Sequence, residues 1–291
     1  MIILPVVSTK GGEGKSTKAA NLAGFLADAG LKTLLIDGDY AQPTASSIYA
    51  LKYEAPYGLF ELLMQSVDLN QPHQIISRTV IDNLDLIISN DPLGQLKTAM
   101  LHATDGRLRL RNVLQHPLFQ DYDVIIIDSQ GARSVMLELI LLAGTESALG
   151  IVVPVLPDVR EFLRGTITMM EQLLPLTSYG IYLPKILILI NRMNYTTLAK
   201  ETLDSLNEII SQGKYSERSA DLPIFVLKTQ IYDLDIYKRG HAVGQPVHRL
   251  ERNTSRKSDS AAKTMHDLAC EIFPQWQSRF RVLLAKGAAH V

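Results

Sequence analysis

The sequence predicts an α/β fold, a doubly wound and mostly parallel sheet flanked by helices, and three observations carry that expectation. Short runs rich in β-branched residues recur along the 291 residues, each followed by a stretch of helical periodicity. The runs are apolar throughout and do not alternate, as strands buried on both faces require. The first run passes through a glycine-rich turn straight into a helix-forming segment. With 46% hydrophobic and 20% charged residues the chain can build a large core, which excludes disordered and fibrous classes. A sheet of this kind can occupy the full length, 1–291, as a single domain.

In chain order the runs are IILPVV from Ile2, TLLID from Thr33, LDLII from Leu84, DVIIID from Asp123, GIVVPV from Gly150, KILILI from Lys185 and IFVL from Ile224, which gives seven strands. Helical periodicity covers 16–29, 134–143, 160–174, 197–211 and 258–273, with Gly30 placed to stop the first helix. The span Asp233–Arg256 reads as irregular. No repeat or Pro/Gly linker marks a second domain, so a basic segment, 228–263, and a terminal helix, 273–286, belong to the same unit. The start, Met1 to Val7, has no basic region or cleavage site and is not expected to be a signal peptide. The longest apolar run, 139–157, is interrupted by Glu146 and two prolines, which argues against an integral membrane protein. Cys270 is the single cysteine, so no internal disulfide or multi-thiolate metal site can form, and a reducing cytoplasm fits. Its apolar helical surroundings read as core. The seven histidines have no metal-ligand spacing and are expected in solvated or capping roles.

Chemistry begins at Lys10-Gly11-Gly12-Glu13-Gly14-Lys15-Ser16-Thr17, between the first strand and the first helix. Glycines let backbone N–H groups converge on phosphate oxygens, the helix N-terminus adds its dipole, Lys15 supplies a point charge and Ser16 a hydroxyl for Mg²⁺. A turn that only joins strand to helix would not need the Gly-Lys-Ser ending. Two further strands end in acids: TLLID runs into Asp37-Gly38-Asp39, and VIIID closes on Asp128, the pattern that holds Mg²⁺ directly or through water. Asp37 reads either as a turn-capping carboxylate or as support for the site.

The second lysine at the head of the loop, Lys10, makes the segment resemble the ParA/MinD family of deviant Walker P-loop ATPases, whose KGGxGK[ST] signature stands intact from Lys10 to Ser16. The resemblance covers nearly the whole chain. It implies an ATPase using ATP and Mg²⁺, with weak intrinsic activity, that forms an ATP-dependent homodimer in which Lys10 reaches the partner's phosphates. It assigns Asp39 to orienting the attacking water near the metal. It also implies that Asn191, at the end of KILILI, recognises adenine, although an Asn at a strand end is also a turn former. Three departures stand out: Tyr40-Ala41 before Gln42, Ser129-Gln130 where prolines are usual, and Glu13 where the residue is commonly small or apolar. An acid at position 13 should be repelled by phosphates and point away, toward a partner.

Function follows from the same resemblance. A small ParA-type (Soj-like) protein would bind DNA non-specifically, work with a ParB-like activator, and partition or position a plasmid, chromosome or mobile element in the cytoplasm, on the nucleoid. With the loop starting at residue 10, no DNA-reading domain is expected before it and sequence-specific operator binding is not the expected reading. The net charge is −1, yet Lys238, Arg239, Arg249, Arg252, Arg256 and Lys257 against Glu251 give 238–257 a local charge of +5, and the rest of the chain −6. These six are the candidate phosphate contacts. The alternative is a MinD-like membrane-cycling ATPase, because the tail carries Phe273, Trp276, Phe280, Val282, Leu283 and Leu284 beside Arg279, Arg281 and Lys286; a helix packed on the sheet explains the same residues, and membrane binding is not the expected reading. An iron–sulfur reductase would need cysteines the chain lacks, and a ligase would normally lack Lys10.

Overall fold

The computed structural model describes residues 1–91, 93–146, 149–213 and 222–286. One nine-stranded sheet runs through it in the order β3-β4-β5-β2-β6-β1-β7-β8-β9. The strands are β1 (Ile2–Val6), β2 (Thr33–Gly38), β3 (Leu51–Tyr53), β4 (Ser77–Thr79), β5 (Leu84–Ile87), β6 (Val124–Ser129), β7 (Ile151–Val155), β8 (Ile186–Ile190) and β9 (Ile224–Val226). All seven predicted strands form and pair in parallel; β3 and β4 add an antiparallel edge beyond β5. Those two strands were not expected, because three-residue segments such as Ser77-Arg78-Thr79 carry too little apolar character to register as a run.

The absence of alternation in the sequence has a direct cause. Ile3, Leu34, Ile36, Ile125 and Ile127 face one apolar layer, and Leu4, Val6, Leu35, Val124 and Ile126 face the other. Helix α1 (Lys15–Asp28) packs through Ala19, Ala20, Leu22, Ala23 and Leu26 on the second layer, while the helix Val135–Ala143 covers the first. The Leu, Ile and Val side chains among these contribute about 1.5–3 kcal/mol each when fully buried, the alanines about 1 kcal/mol or less. Gly30, at φ 82°, ends α1 as expected: its N–H donates to Ala27 O (2.9 Å) and Leu31 N–H to Leu26 O (3.1 Å).

Three local expectations are corrected. The span Asp233–Arg256 is not irregular but holds the helices Asp235–Val243 and Val247–Leu250. Gly240, Gly244 and Pro246 disguise them: Gly240 lies inside the first helix because Val247 packs where its Cβ would be, at 2.8 Å, and Gly244 (φ 65°) is the stop. The predicted helix 160–174 is interrupted by a π-helical stretch, Phe162–Ile167. His248 is neither solvated nor capping but 4% exposed, with Nε2 2.8 Å from Asp28 Oδ2. The tail folds back, with Phe273 and Phe280 at 0% exposure in the second layer, while Trp276 is half-buried and Val282 exposed. Cys270 is half-buried against the same layer. Among the described residues no helix is long and apolar enough to cross a membrane.

Candidate nucleotide site

Register assembles the site. β6 lies between β1 and β2, and pairing sets Asp128 opposite Val6 on one side and Asp37 on the other. The phosphate loop, the Asp37–Asp39 turn and the acid of β6 therefore leave the sheet together at its carboxyl edge, where ligands of doubly wound sheets bind. The loop and the turn border a cavity of about 480 Å³ lined by Gly12, Gly14, Lys15, Thr17, Asp39 and Gln130, and Asp128 lies buried outside that lining.

In the loop Gly12 (φ 78°) and Gly14 (φ 71°) are left-handed, a conformation a side chain would strain. Lys15 is 6% exposed, its ammonium donating to Lys10 O (3.0 Å). Burial lowers its pKa, and the charges of Asp128, Glu13 and Asp39 oppose that. Lys10 is exposed at the rim of a neighbouring cavity that also holds Glu13, Arg160 and Arg164. Glu13 points away from the phosphate cavity, as its charge demands, but inward: it is 5% exposed and accepts a hydrogen bond from the Ser8 hydroxyl.

The carboxylates divide cleanly. Asp37 is fully buried and accepts from Asp39 N–H (3.1 Å) and from Ser46 N–H and Oγ–H (2.7 Å each), which makes it a brace for the turn. Burial pushes its carboxyl up to about 6, against these hydrogen bonds. Asp39 faces the cavity, steadied by the N–H groups of Ala41 (3.1 Å) and Gln42 (3.0 Å) on its Oδ1, so the Tyr40-Ala41 departure still supplies the turn's donors. Asp128 has no accessible surface and, among the described residues, neither of its oxygens has a hydrogen-bond partner. Burial raises its pKa, with Asp37 adding to this and the facing Ser16 hydroxyl and Lys15 opposing it. Two orphaned carboxylate oxygens beside a serine hydroxyl are the donor set that a hydrated Mg²⁺ satisfies, so the residues fit the cation.

Asn191 directly follows β8 behind the loop, buried, with Nδ2 donating to Glu13 O (2.6 Å) and Oδ1 unpartnered among the described residues. Its neighbour Arg192 (φ 53°) donates from Nη2 to Gly12 O (2.7 Å). Sequence reading missed Arg192, Ser46 and Gly131, at which a Cβ would sit 2.7 Å from Lys10 O and 2.8 Å from Gly11 N. None belongs to a motif; only the fold brings them in.

The six basic candidates do not act alike. Arg249 Nε donates to Asp28 (2.6 Å), and Arg256 bridges Glu251 through both terminal nitrogens (2.6 Å each), so both hold structure. Lys238 reaches Asp235 at 3.3 Å from an open surface. Lys257 lies 5.3 Å over the Tyr195 ring, and Arg239 and Arg252 are exposed.

A family model described as an AAA domain matches residues 1–172. The sporulation initiation inhibitor protein Soj of Bacillus subtilis is 30% identical over 126 residues, covering 43% of this chain and 48% of Soj, so the match spans about half the length of that relative. The cell division protein PomZ of Myxococcus xanthus is 28% identical over 283 residues, 96% of this chain and 80% of PomZ. Among solved structures, apo McdA of Cyanothece superposes with a TM-score of 0.71 at 21% identity, covering 96% of this chain and 99% of that one. MinD of Pyrococcus horikoshii, complexed with Mg-ADP, gives 0.65 at 18% identity over 96% and 98%. With the signature loop seated on this sheet and the family match extending over more than half of the sequence, the chain belongs to the ParA/MinD family of deviant Walker ATPases.

Proposed function

We propose that the chain, 1–291 acting as one unit, is a Mg²⁺-dependent ATPase that uses ATP-driven homodimerisation to position DNA or another large cargo on the nucleoid, with a ParB-like activator. The observation that carries this reading is the meeting of a glycine-built phosphate loop, Lys15, Asp39 and an orphaned Asp128 at one edge of the sheet. The Mg-ADP complex of MinD supports nucleotide and cation as its ligands.

Lys15 would leave the Lys10 carbonyl for the terminal phosphates, and Ser16 and Asp128 would hold Mg²⁺, which when bound offsets negative charge on the phosphate oxygens. Asp39 orients the attacking water from the opposite wall. Lys10, exposed at the rim, is placed to reach phosphates on a second protomer. Asn191 faces the base with its carboxamide oxygen. The exposed members of the basic set contact DNA phosphates without reading bases.

Fluorescent-ATP titration and light scattering test this together. Lys15→Ala loses nucleotide binding, and Asp39→Ala keeps ATP and accumulates as a dimer while hydrolysis falls ~10²-fold for want of an oriented water. Unchanged ATP affinity in the first variant, or a monomer in ATP in the second, overturns these assignments.

A further inference from the structure

A groove of about 530 Å³ opens between α1, the helix Ala261–Ile272 and the terminal helix Gln277–Lys286, and it shares no lining residue with the nucleotide cavity. Phe25, Leu283 and Leu284 give it an apolar wall. Arg252 and Lys257 stand at its rim, both exposed and without an ion pair among the described residues. The other charges of the wall are matched: Lys263 holds Asp259 (2.9 Å) and Asp267 (2.7 Å), and Arg256 holds Glu251 (2.6 Å). His248 completes the lining with a group that lacks a partner. It is 4% exposed, and its Nδ1 is buried with no hydrogen bond among the described residues. Its Nε2 lies 2.8 Å from Asp28 Oδ2, and because Arg249 holds Asp28 ionised, Nε2 carries the ring proton. Burial lowers the imidazole pKa against the pull of Asp28, with Arg249 and Arg252 adding to it, so the ring stays neutral and Nδ1 is an acceptor. Asp28 lies outside the groove, so the ring edge turned away from it, which carries Nδ1, is the edge the groove meets. A buried acceptor with no donor calls for a ligand that brings one.

We infer that this groove binds a small organic anion whose apolar body carries one O–H or N–H donor. The anionic end meets Arg252 and Lys257, the body lies on Phe25, Leu283 and Leu284, and the donor reaches His248 Nδ1. Apolar walls with a few convergent polar groups are the usual make-up of a small-ligand site. The required donor separates this occupant from DNA, because a backbone phosphodiester offers acceptors only and leaves His248 Nδ1 unsatisfied. Phe25 belongs to the helix that leaves the phosphate loop, so the ligand touches that helix and the basic segment together.

Titration of the full chain without nucleotide, followed by NMR of the histidine ring nitrogens, tests the site. The probes are 4-hydroxybenzoate and 4-hydroxyphenylacetate against benzoate and phenylacetate, which lack the donor. A hydroxylated acid should bind with a Kd of about 1 mM, as suits a ligand of that size, and about three- to tenfold more tightly than its plain counterpart. It should shift the His248 Nδ1 resonance more than the plain acid does. Arg252→Ala together with Lys257→Ala, both at exposed positions, should weaken hydroxylated and plain acids alike by several-fold. No binding by any probe up to about 10 mM, equal affinity of hydroxylated and plain acids, an unmoved Nδ1 resonance, or unchanged affinity in the double variant would each overturn the inference. A mixed-sequence DNA duplex should leave Nδ1 in place; a shift with the duplex and none with the acids would give the groove to DNA and overturn it too. No arm contains ATP, so each of these outcomes leaves the proposed nucleotide site standing.

Discussion

Asp28 and Asp39 stand at opposite ends of the chain's first βαβ unit, and their surroundings tie one carboxylate into ion pairs and leave the other facing the cavity of the proposed nucleotide site. Asp39 faces a cavity and keeps only local turn donors. Asp28, at the far end of α1, accepts from Arg249 Nε (2.6 Å) and meets His248 Nε2 (2.8 Å). Burial alone would raise the Asp28 pKa, but the hydrogen bonds and charges of Arg249 and His248 outweigh it and bring it down to about 2. A depressed carboxylate gives stability that is whole above its unfolded pKa and is lost as pH falls through the folded value. Asp28→Asn should therefore cost on the order of 1–2 kcal/mol near neutral pH, allowing for partial solvent screening, and the gap to the unaltered protein should close between about pH 4 and pH 2. Denaturant unfolding across that range checks it; a constant gap would show that the pair matters through packing and not through charge. Lys15, Asp39 and Asp128 were legible in the sequence because each ends or opens a recognisable run, whereas His248 and Asp28 are separated by 220 residues and share no pattern.

Elements whose identity is local were legible, and those defined by what packs on them were not. β1, β2 and β6 announce themselves as unbroken apolar runs, but β3 and β4 exist because β5 offers an edge to pair with. The helices in 235–250 were hidden by glycines and a proline that the fold uses for close approach. Gly24 of α1 shows the same principle from the other side, since a Cβ there would meet Pro246 at 2.7 Å. Together with Val247 N–H on Asn21 Oδ1 (2.8 Å), this clamps the phosphate-loop helix to the segment that carries the basic residues. Gly131 makes the equivalent approach at the site. Its Cβ would press on backbone atoms of Lys10 and Gly11, which cannot swing aside as a side chain does. Gly131→Ala should consequently shift the loop and weaken ATP binding by about tenfold or more, at a stability cost of about 1–3 kcal/mol. Titration of ATP beside a thermal melt separates the two effects. Undiminished affinity would mean that the loop after β6 does not set the position of the phosphate loop.

At the scale of the whole molecule, charge separates a solvated surface from one built for a polyanion. The segment 238–257 carries a local +5, but Arg249 and Arg256 are tied to Asp28 and Glu251, and Lys238 shares a pair with Asp235 that is almost fully exposed and therefore weak. Arg239, Arg252 and Lys257 have no ion pair among the described residues, and Arg252 and Lys257 border one groove. Three or four available cations are too few in one protomer for firm DNA binding at physiological salt. The proposed ATP-dependent dimer would double them, and if about 6 to 8 reach phosphates, counterion release would give a logarithmic salt slope of about −5 to −7. DNA binding should then require ATP, fall steeply with salt and vary little between unrelated duplexes, because contacts to phosphates carry no base information. Arg239→Glu, Arg252→Glu and Lys257→Glu together should abolish it and leave ATP hydrolysis without DNA unchanged. Arg249→Ala should chiefly lower thermal stability. Fluorescence anisotropy with a mixed-sequence duplex at several salt concentrations decides the matter: no binding in ATP at low salt, or equal binding by the triple variant, removes DNA from the proposed function and leaves the dimer switch to act on another cargo.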